Sequence, residues 1–283
     1  LDIYVADMTT PMIMYEEWHQ PGTKTLVNGY VIPAGQTGLK DINDAVHQLF
    51  LHPNVGPFIG KQLIQRLVTS NPTPGYISRV AAVFADNGQG ERGDMGAVIK
   101  AILMDPEART CSALEEDRFG KLREPFTRYT HFSKAIQMEQ YYGRYWNVAY
   151  GFYQATNQMP LASRTVFNFF LPDFQPIGAI ADNGLVGPEF QIHNSRTSIE
   201  FINRVNDWAV WGYVMDDWEA ENPSVTYNID ELTPLARDPE VLINRLDVLF
   251  THGMLSDRTR QIIKDAITPM ISEDYRNDRT RLA

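Results

Sequence analysis

With 283 residues, 43% of them hydrophobic and 21% charged, the chain can bury a sizeable core and lies far from the composition of disordered segments. Its formal net charge of −10 sets the field of the whole molecule against phosphate backbones and anionic headgroups, so nucleic acid and membrane surfaces are poor partners. A single cysteine, Cys111, excludes an internal disulfide framework, and no apolar run reaches the ~20 residues of a membrane-spanning helix.

In chain order, residues 12–27 read as a β-hairpin. Met12-Ile13-Met14-Tyr15 are strand formers, and Gln20-Pro21-Gly22-Thr23 puts Pro and Gly at the centre of a type II turn. A second extended stretch, Tyr30-Val31-Ile32, ends at Pro33. Helical periodicity then takes over, with Ile42, Ala45, Val46, Leu49 and Phe50 on one face of an amphipathic helix that ends at His52-Pro53. A second helix is expected over 55–68. A third starts at Thr73-Pro74, where Thr caps and Pro suits the first turn, with Ile77, Val80, Ala81 and Phe84 inward. The fourth is capped by Asp94, turns Met95, Val98, Ile99, Ile102 and Leu103 inward, and stops before Pro106.

Beyond Cys111, Glu124-Pro125 starts a helix through about Met138, followed by an aromatic-rich segment over 141–153. Residues 165–176 hold Phe167, Phe169, Phe170 and Phe174 around Pro172, too apolar for a solvated loop. Gly187-Pro188-Glu189 opens a long helix to about Trp211. After an acidic linker over 216–224 come two more helices, one capped by Asp238 with Leu242, Leu246, Leu249 and Phe250 inward, the other burying Ile263, Ala266, Ile267, Met270 and Ile271. Leu249-Phe250-Thr251-His252 echoes Leu49-Phe50-Leu51-His52, too briefly to mark a repeat. The fold class is therefore mainly α with a small β-hairpin near the N-terminus: an extended hairpin segment over 1–38, a four-helix unit over 39–110, and a second helical part over 111–283 packed on it as one continuous domain.

Several ordered motifs carry a resemblance to a known family. They are His52-Pro53-Asn54, the run from Lys61 to Pro72, the run from Arg79 to Gly88, Arg92-Gly93-Asp94, Asp105-Pro106-Glu107-Ala108-Arg109, Lys121-Leu122-Arg123-Glu124-Pro125, Val166-Phe167-Asn168-Phe169 with Pro172-Asp173, and Pro188-Glu189. Together they resemble the bacterial family called "domain of unknown function 1800". That resemblance implies an exported protein, periplasmic or extracellular, of which this chain is an internal portion. It also implies a partner from the "domain of unknown function 1501" family, which is similar to sulfatases and alkaline phosphatases. It implies no activity.

The candidate site residues are Lys121, Arg123, Glu124, Glu189 and His193. Lys121 and Arg123 stand immediately before a helix start, where free N–H groups and the dipole favour an anion, or else they pair with a buried carboxylate such as Glu124 or Glu189. Glu189 and His193, one turn apart, head a polar stripe with Arg196, Glu200, Asn203 and Asp207; it is either a solvated face or the lining of a cleft. We expect Lys121, Arg123, Glu124 and Glu189 to meet in space. The loop Asp86-Asn87-Gly88-Gln89-Gly90-Glu91-Arg92-Gly93-Asp94 has the oxygen-rich look of a calcium loop but lacks the EF-hand pattern, and reads as a structural connection. His52 reads as a helix terminator, and His19 stands before the hairpin turn. No metal and no cofactor are expected, and no nucleophile elbow, phosphate loop or dinucleotide motif is present. Two functions of different class follow: a non-catalytic, exported binding or scaffolding protein acting with a partner, and a hydrolase of a carbohydrate or other polymer with a polar site around Arg123, Glu124, Glu189 and His193.

Overall fold

A computed structural model describes residues 9–110, 116, 118–141, 150–163, 165–214 and 225–270. Cys111, most of the aromatic-rich segment over 141–153, the 216–224 linker and Ile271 lie outside the described residues. The chain is mainly α and divides into two compact units, Leu1–Glu116 and Asp117–Ala283. No helix among the described residues is long and apolar enough to cross a membrane.

In the first unit a two-stranded antiparallel sheet joins β1 (Lys24–Thr25) to β2 (Val31–Ile32), in the register Lys24 opposite Ile32. The hairpin thus lies one segment later than the sequence reading places it. Its turn is Leu26 to Tyr30, with Gly29 at φ 78 and the Asn28 side chain accepting from the Tyr30 N–H, an Asn-Gly turn signal stronger than Pro21-Gly22. Residues 12–15 form no strand. The chain is held elsewhere, because Glu16 accepts from the Gly38 N–H with both carboxylate oxygens, while Met12 and Ile13 stay exposed.

Four helices follow: α1 (Gly38–Leu51), α2 (Val55–Leu67), α3 (Pro74–Ala85) and α4 (Met95–Met104). The caps are those expected, since Thr73 accepts from the Tyr76 N–H and Asp94 from the Ala97 N–H. Ile64, Tyr76, Val80, Phe84, Val98 and Ile102 form the core. Gly56 and Gly60 let α2 approach α3 closely, because a Cβ on Gly60 would stand 3.1 Å from the nearer methyl of Val80. Two expected inward faces are only partly inward. On α4, Val98 and Ile102 are buried but Met95, Ile99 and Leu103, about 100° round the helix, are exposed. On α1 the buried residues are Gly38 and Asp41, and Ile42, Val46 and Leu49 face outward. Asp41 decides this, drawing Lys24 (2.5 Å), His19 (2.8 Å) and Gln36 (3.0 Å) to the start of α1. The Lys24 bond first, then those of His19 and Gln36, hold the Asp41 carboxyl down at about 2. A short α5 (Pro106–Arg109) closes the unit, where Arg79 grips Asp105 with two bonds of 2.7 and 2.8 Å and Glu107 accepts from the Thr73 N–H.

In the second unit α6 (Pro125–Ala135), α7 (Tyr150–Thr156), α8 (Ala179–Asp182), α9 (Ser195–Trp211), α10 (Pro239–Leu246) and α11 (Asp257–Ile267) surround an aromatic core. Tyr129, Phe152, Trp208 and Tyr227 pack with ring centroids 5.3 to 6.5 Å apart. A three-stranded antiparallel sheet that the sequence reading lacks, β3 (Glu139–Gln140), β4 (Tyr213–Val214) and β5 (Val225–Thr226) in the order β3-β5-β4, lies beside it. Its two-residue strands are too short to show alternation. Phe170 is buried, as its apolar surroundings predict, whereas the expected inward face of α11 has no fully buried residue. The expected helix from Glu189 to Trp211 is two elements, a 3-10 turn over Pro188–Gln191 and then α9. Asn194 makes the break. Its side chain accepts from the Arg196 and Thr197 N–H groups, and the Thr197 hydroxyl accepts from the Asn194 N–H, a reciprocal cap that fixes the helix start.

Candidate functional site

All five candidate residues lie in the second unit, and the structure sorts them into separate contacts. Pro188 starts the 3-10 turn that carries Glu189 inward until it is 1% exposed, where Oε1 accepts from Lys121 Nζ at 2.9 Å. This pair meets as expected. Oε2 of Glu189 is buried without a hydrogen-bond partner. Glu124 stands at the start of α6 but does not cap it; it accepts from Gln158 Nε2 at 2.7 Å, and Gln158 Oε1 accepts from the Phe126 N–H at 2.8 Å, so buried Gln158 does the capping. Neither carboxylate touches Arg123.

The break before α9 also separates Glu189 from His193, which share only a backbone bond, His193 N–H to Glu189 carbonyl. The rest of the polar stripe is a solvated face, with Arg196, Asn203 and Asp207 exposed. His193 meets Arg128 instead, whose Nη2 donates to His193 Nδ1 at 3.1 Å. The other ring nitrogen then carries the proton and donates to Ser198 Oγ at 3.1 Å, and that hydroxyl donates to the Asn194 carbonyl at 2.8 Å. Burial, and next the charge of Arg128, push the imidazole below its ordinary value of 6.5. Burial also lowers the guanidinium of Arg128, which lies 4.2 Å from the Phe201 ring centroid and whose Nε is buried without an acceptor.

Arg123 stands two residues before α6 and reaches two imidazoles. Its Nη1 donates to His131 Nδ1 at 2.7 Å and its Nη2 to His252 Nε2 at 3.1 Å; a guanidinium has no lone pair to offer, so both ring nitrogens accept. The two rings stack, 5.7 Å apart and 12° from parallel. His252 is placed by a left-handed backbone (φ 58, ψ 33) at the end of the π-turn Asp247–Thr251, a conformation that Asp247 holds by accepting from the Leu255 N–H, the Thr251 hydroxyl and Arg260. Arg128, His131 and Phe132 fall at i, i+3 and i+4 of α6 and face Phe201, Val205 and Ala209 at i, i+4 and i+8 of α9. With Leu246 and Phe250 from α10 and the turn after it, they line a cavity of about 470 Å³ whose basic rim is Arg123, Arg128 and His131. Arg128 and His131 are absent from the sequence reading, and His252 enters it only through the echo of Leu49-Phe50-Leu51-His52. Arg128 and His131, at i and i+3 of α6, are a visible signal on one helix face, but Arg123 precedes that helix and His252 comes from a distant turn.

A second cavity of about 430 Å³ is lined by Tyr153, Asn157, Asn168, Phe169 and Gln191 among others, with no carboxylate among its described lining residues. In the first unit the oxygens of the 86–94 loop face inward. Asp86 accepts from the Gly88 and Gly90 N–H groups and Asn87 from those of Gln89 and Glu91, while Asp94 caps α4. His52 ends α1, and its Nδ1 accepts from the Asn54 N–H. Among the described residues no group of three or more His, Cys, Asp or Glu is placed to hold a metal ion.

Fold and site together define a mainly α-helical protein whose second unit carries an aromatic-walled cavity with a basic rim. The chain belongs to the family "Protein of unknown function (DUF1800)", whose model matches residues 5–283, nearly the whole sequence. No curated protein and no solved structure matches it.

Proposed function

We propose that this is a non-catalytic binding protein whose second unit takes an anionic ligand at Arg123, Arg128 and His131. The observation that carries this reading is that the two arginines converge on one cavity and, among the described residues, no carboxylate pairs with either, although acidic residues outnumber Lys and Arg by 35 to 25. The groups that a hydrolase would use are engaged elsewhere: Glu189 is neutralised by Lys121, Glu124 holds Gln158, and His193 is fixed between Arg128 and Ser198. A general base needs to reach a substrate proton at about 3 Å, and glycoside hydrolysis needs two carboxylates across one cleft. On this reading the protein acts outside the cytoplasm beside a partner of the "domain of unknown function 1501" family; that part rests on the resemblance of the motifs, not on the cavity.

Thermal unfolding across a panel of small organic anions tests the reading. A ligand at 100 times its dissociation constant stabilises by about 2.7 kcal/mol, so binding raises the midpoint by several degrees. The shift is expected in the parent protein and absent in Arg123→Gln/Arg128→Gln. If no anion shifts the parent, or the double variant shifts equally, the reading fails.

A further inference from the structure

We propose that the cavity of the second unit binds a small molecule joining an oxyanion head to a flat apolar body, the head at Arg123 and Arg128 and the body among Phe132, Phe201 and Phe250. This rests on the binding reading above and adds the class of ligand. The head is argued from charge. Lys24, Arg79, Lys121 and Arg260 each meet a carboxylate, and Arg92 and Arg196 donate to carbonyl oxygens, whereas Arg123 and Arg128 line a cavity and do neither among the described residues. Arg123 and Arg128 donate to imidazoles, which satisfy the direction of an N–H but leave the positive charge uncompensated. An entering oxyanion therefore breaks no salt bridge, meets two planar forks matched to its geometry, and does so beside low-dielectric walls that strengthen the attraction. His131 accepts from Arg123 through Nδ1, which leaves its Nε2–H as a further donor at the rim.

The body is argued from the walls. About 470 Å³ lies within the range of small-molecule sites, and apart from the rim the lining is Phe132, Phe201, Val205, Ala209, Leu246 and Phe250. A bare inorganic anion would leave those walls wet. Phe132 and Phe250 lie 5.9 Å apart and 22° from parallel, and Arg128 lies over Phe201, so a flat ring extends stacking that the pocket already contains. The class is thus an aryl carboxylate or an aryl phosphate ester, which share one chemistry and differ in the head.

Isothermal titration with 2-naphthoate, 2-naphthyl phosphate, the neutral 2-naphthamide and acetate tests this. At least one naphthyl anion is expected to bind about tenfold or more tighter than both naphthamide and acetate, since a hydrogen bond to a charged group is worth about 1.5–3 kcal/mol, and the tighter of the two identifies the head. Arg123→Gln, at an exposed position, weakens binding from the head side by about tenfold, and Val205→Phe does so from the body side by filling the cavity, with circular dichroism confirming that both variants fold. Acetate binding as tightly as naphthoate would overturn the apolar body while leaving the anion reading standing. Naphthamide binding as tightly as both anions would overturn the anion reading as well. No binding of any probe at millimolar concentration overturns both.

Discussion

Compared with Arg79 and Lys24 in the first unit, two arginines of the second unit are matched differently. In the first, Arg79 is forked onto Asp105 and Lys24 sits on Asp41, each within a network that also caps a helix or ties the hairpin to α1. In the second, Lys121 closes on Glu189 in the same way, yet Arg123 and Arg128 end on imidazoles. A cation matched by a carboxylate is neutralised within the fold; a cation matched by a neutral ring keeps its charge, which the proposed binding reading assigns to a ligand.

The largest expected effect concerns a closed pair. Glu189→Gln leaves the Lys121 ammonium without its carboxylate and should cost about 3–5 kcal/mol in denaturant unfolding, because a charge stripped of its buried partner is expensive. A loss below about 1 kcal/mol with binding abolished would move Glu189 out of the framework and into the site. Next comes Asp105→Asn in the first unit, expected to cost about 1.5–3 kcal/mol through the lost fork of half-exposed Arg79, with ligand binding unchanged.

Acid should separate the units. His193 is held below its ordinary value of 6.5, so the stability that it contributes is fully present above 6.5 and is lost as pH falls through the lowered folded value. Asp105 is held below its ordinary 3.8, first by the Arg79 hydrogen bonds, so its contribution is present above 3.8 and disappears only on further acidification. Stability measured against pH should therefore fall in two steps, and His193→Gln should remove the upper one alone; a single step in both proteins would break the distinction.

Arg123→Gln is the mirror of Glu189→Gln: stability within about 0.5 kcal/mol of the parent in the same unfolding assay, with anion binding weakened about tenfold. The smallest effect is expected for calcium. Since the oxygens of Asp86, Asn87 and Asp94 already accept backbone N–H groups, millimolar calcium should leave the melting temperature unchanged, and a rise that Asp94→Ala abolishes would contradict that loop geometry.

Much of the fold was legible because its signals are local. Thr73 and Asp94 cap the helices that follow them, Pro106 stops α4, and Asp238 caps α10, each through a side chain within three residues of its partner. The hairpin was misplaced where two turn signals compete, and Asn28-Gly29 wins because Glu16 and His19 commit the preceding segment to α1. At the site, Lys121 and Glu189 were expected to meet and do. Arg123 was expected on a carboxylate and is not.

What the sequence by itself determined is the mainly α class, the helix starts capped by Thr73, Asp94 and Asp238, and the family, all of which rest on residue types at short spacing. Only the tertiary structure decided which cations are neutralised. Pairing strength falls within a few ångströms, and the distances that set it are fixed by packing between α6, α9 and the turn after α10. Asn194 ends the polar stripe at its cap, and a left-handed His252, 129 positions from Arg123, takes up a guanidinium that no pattern in the chain links to it.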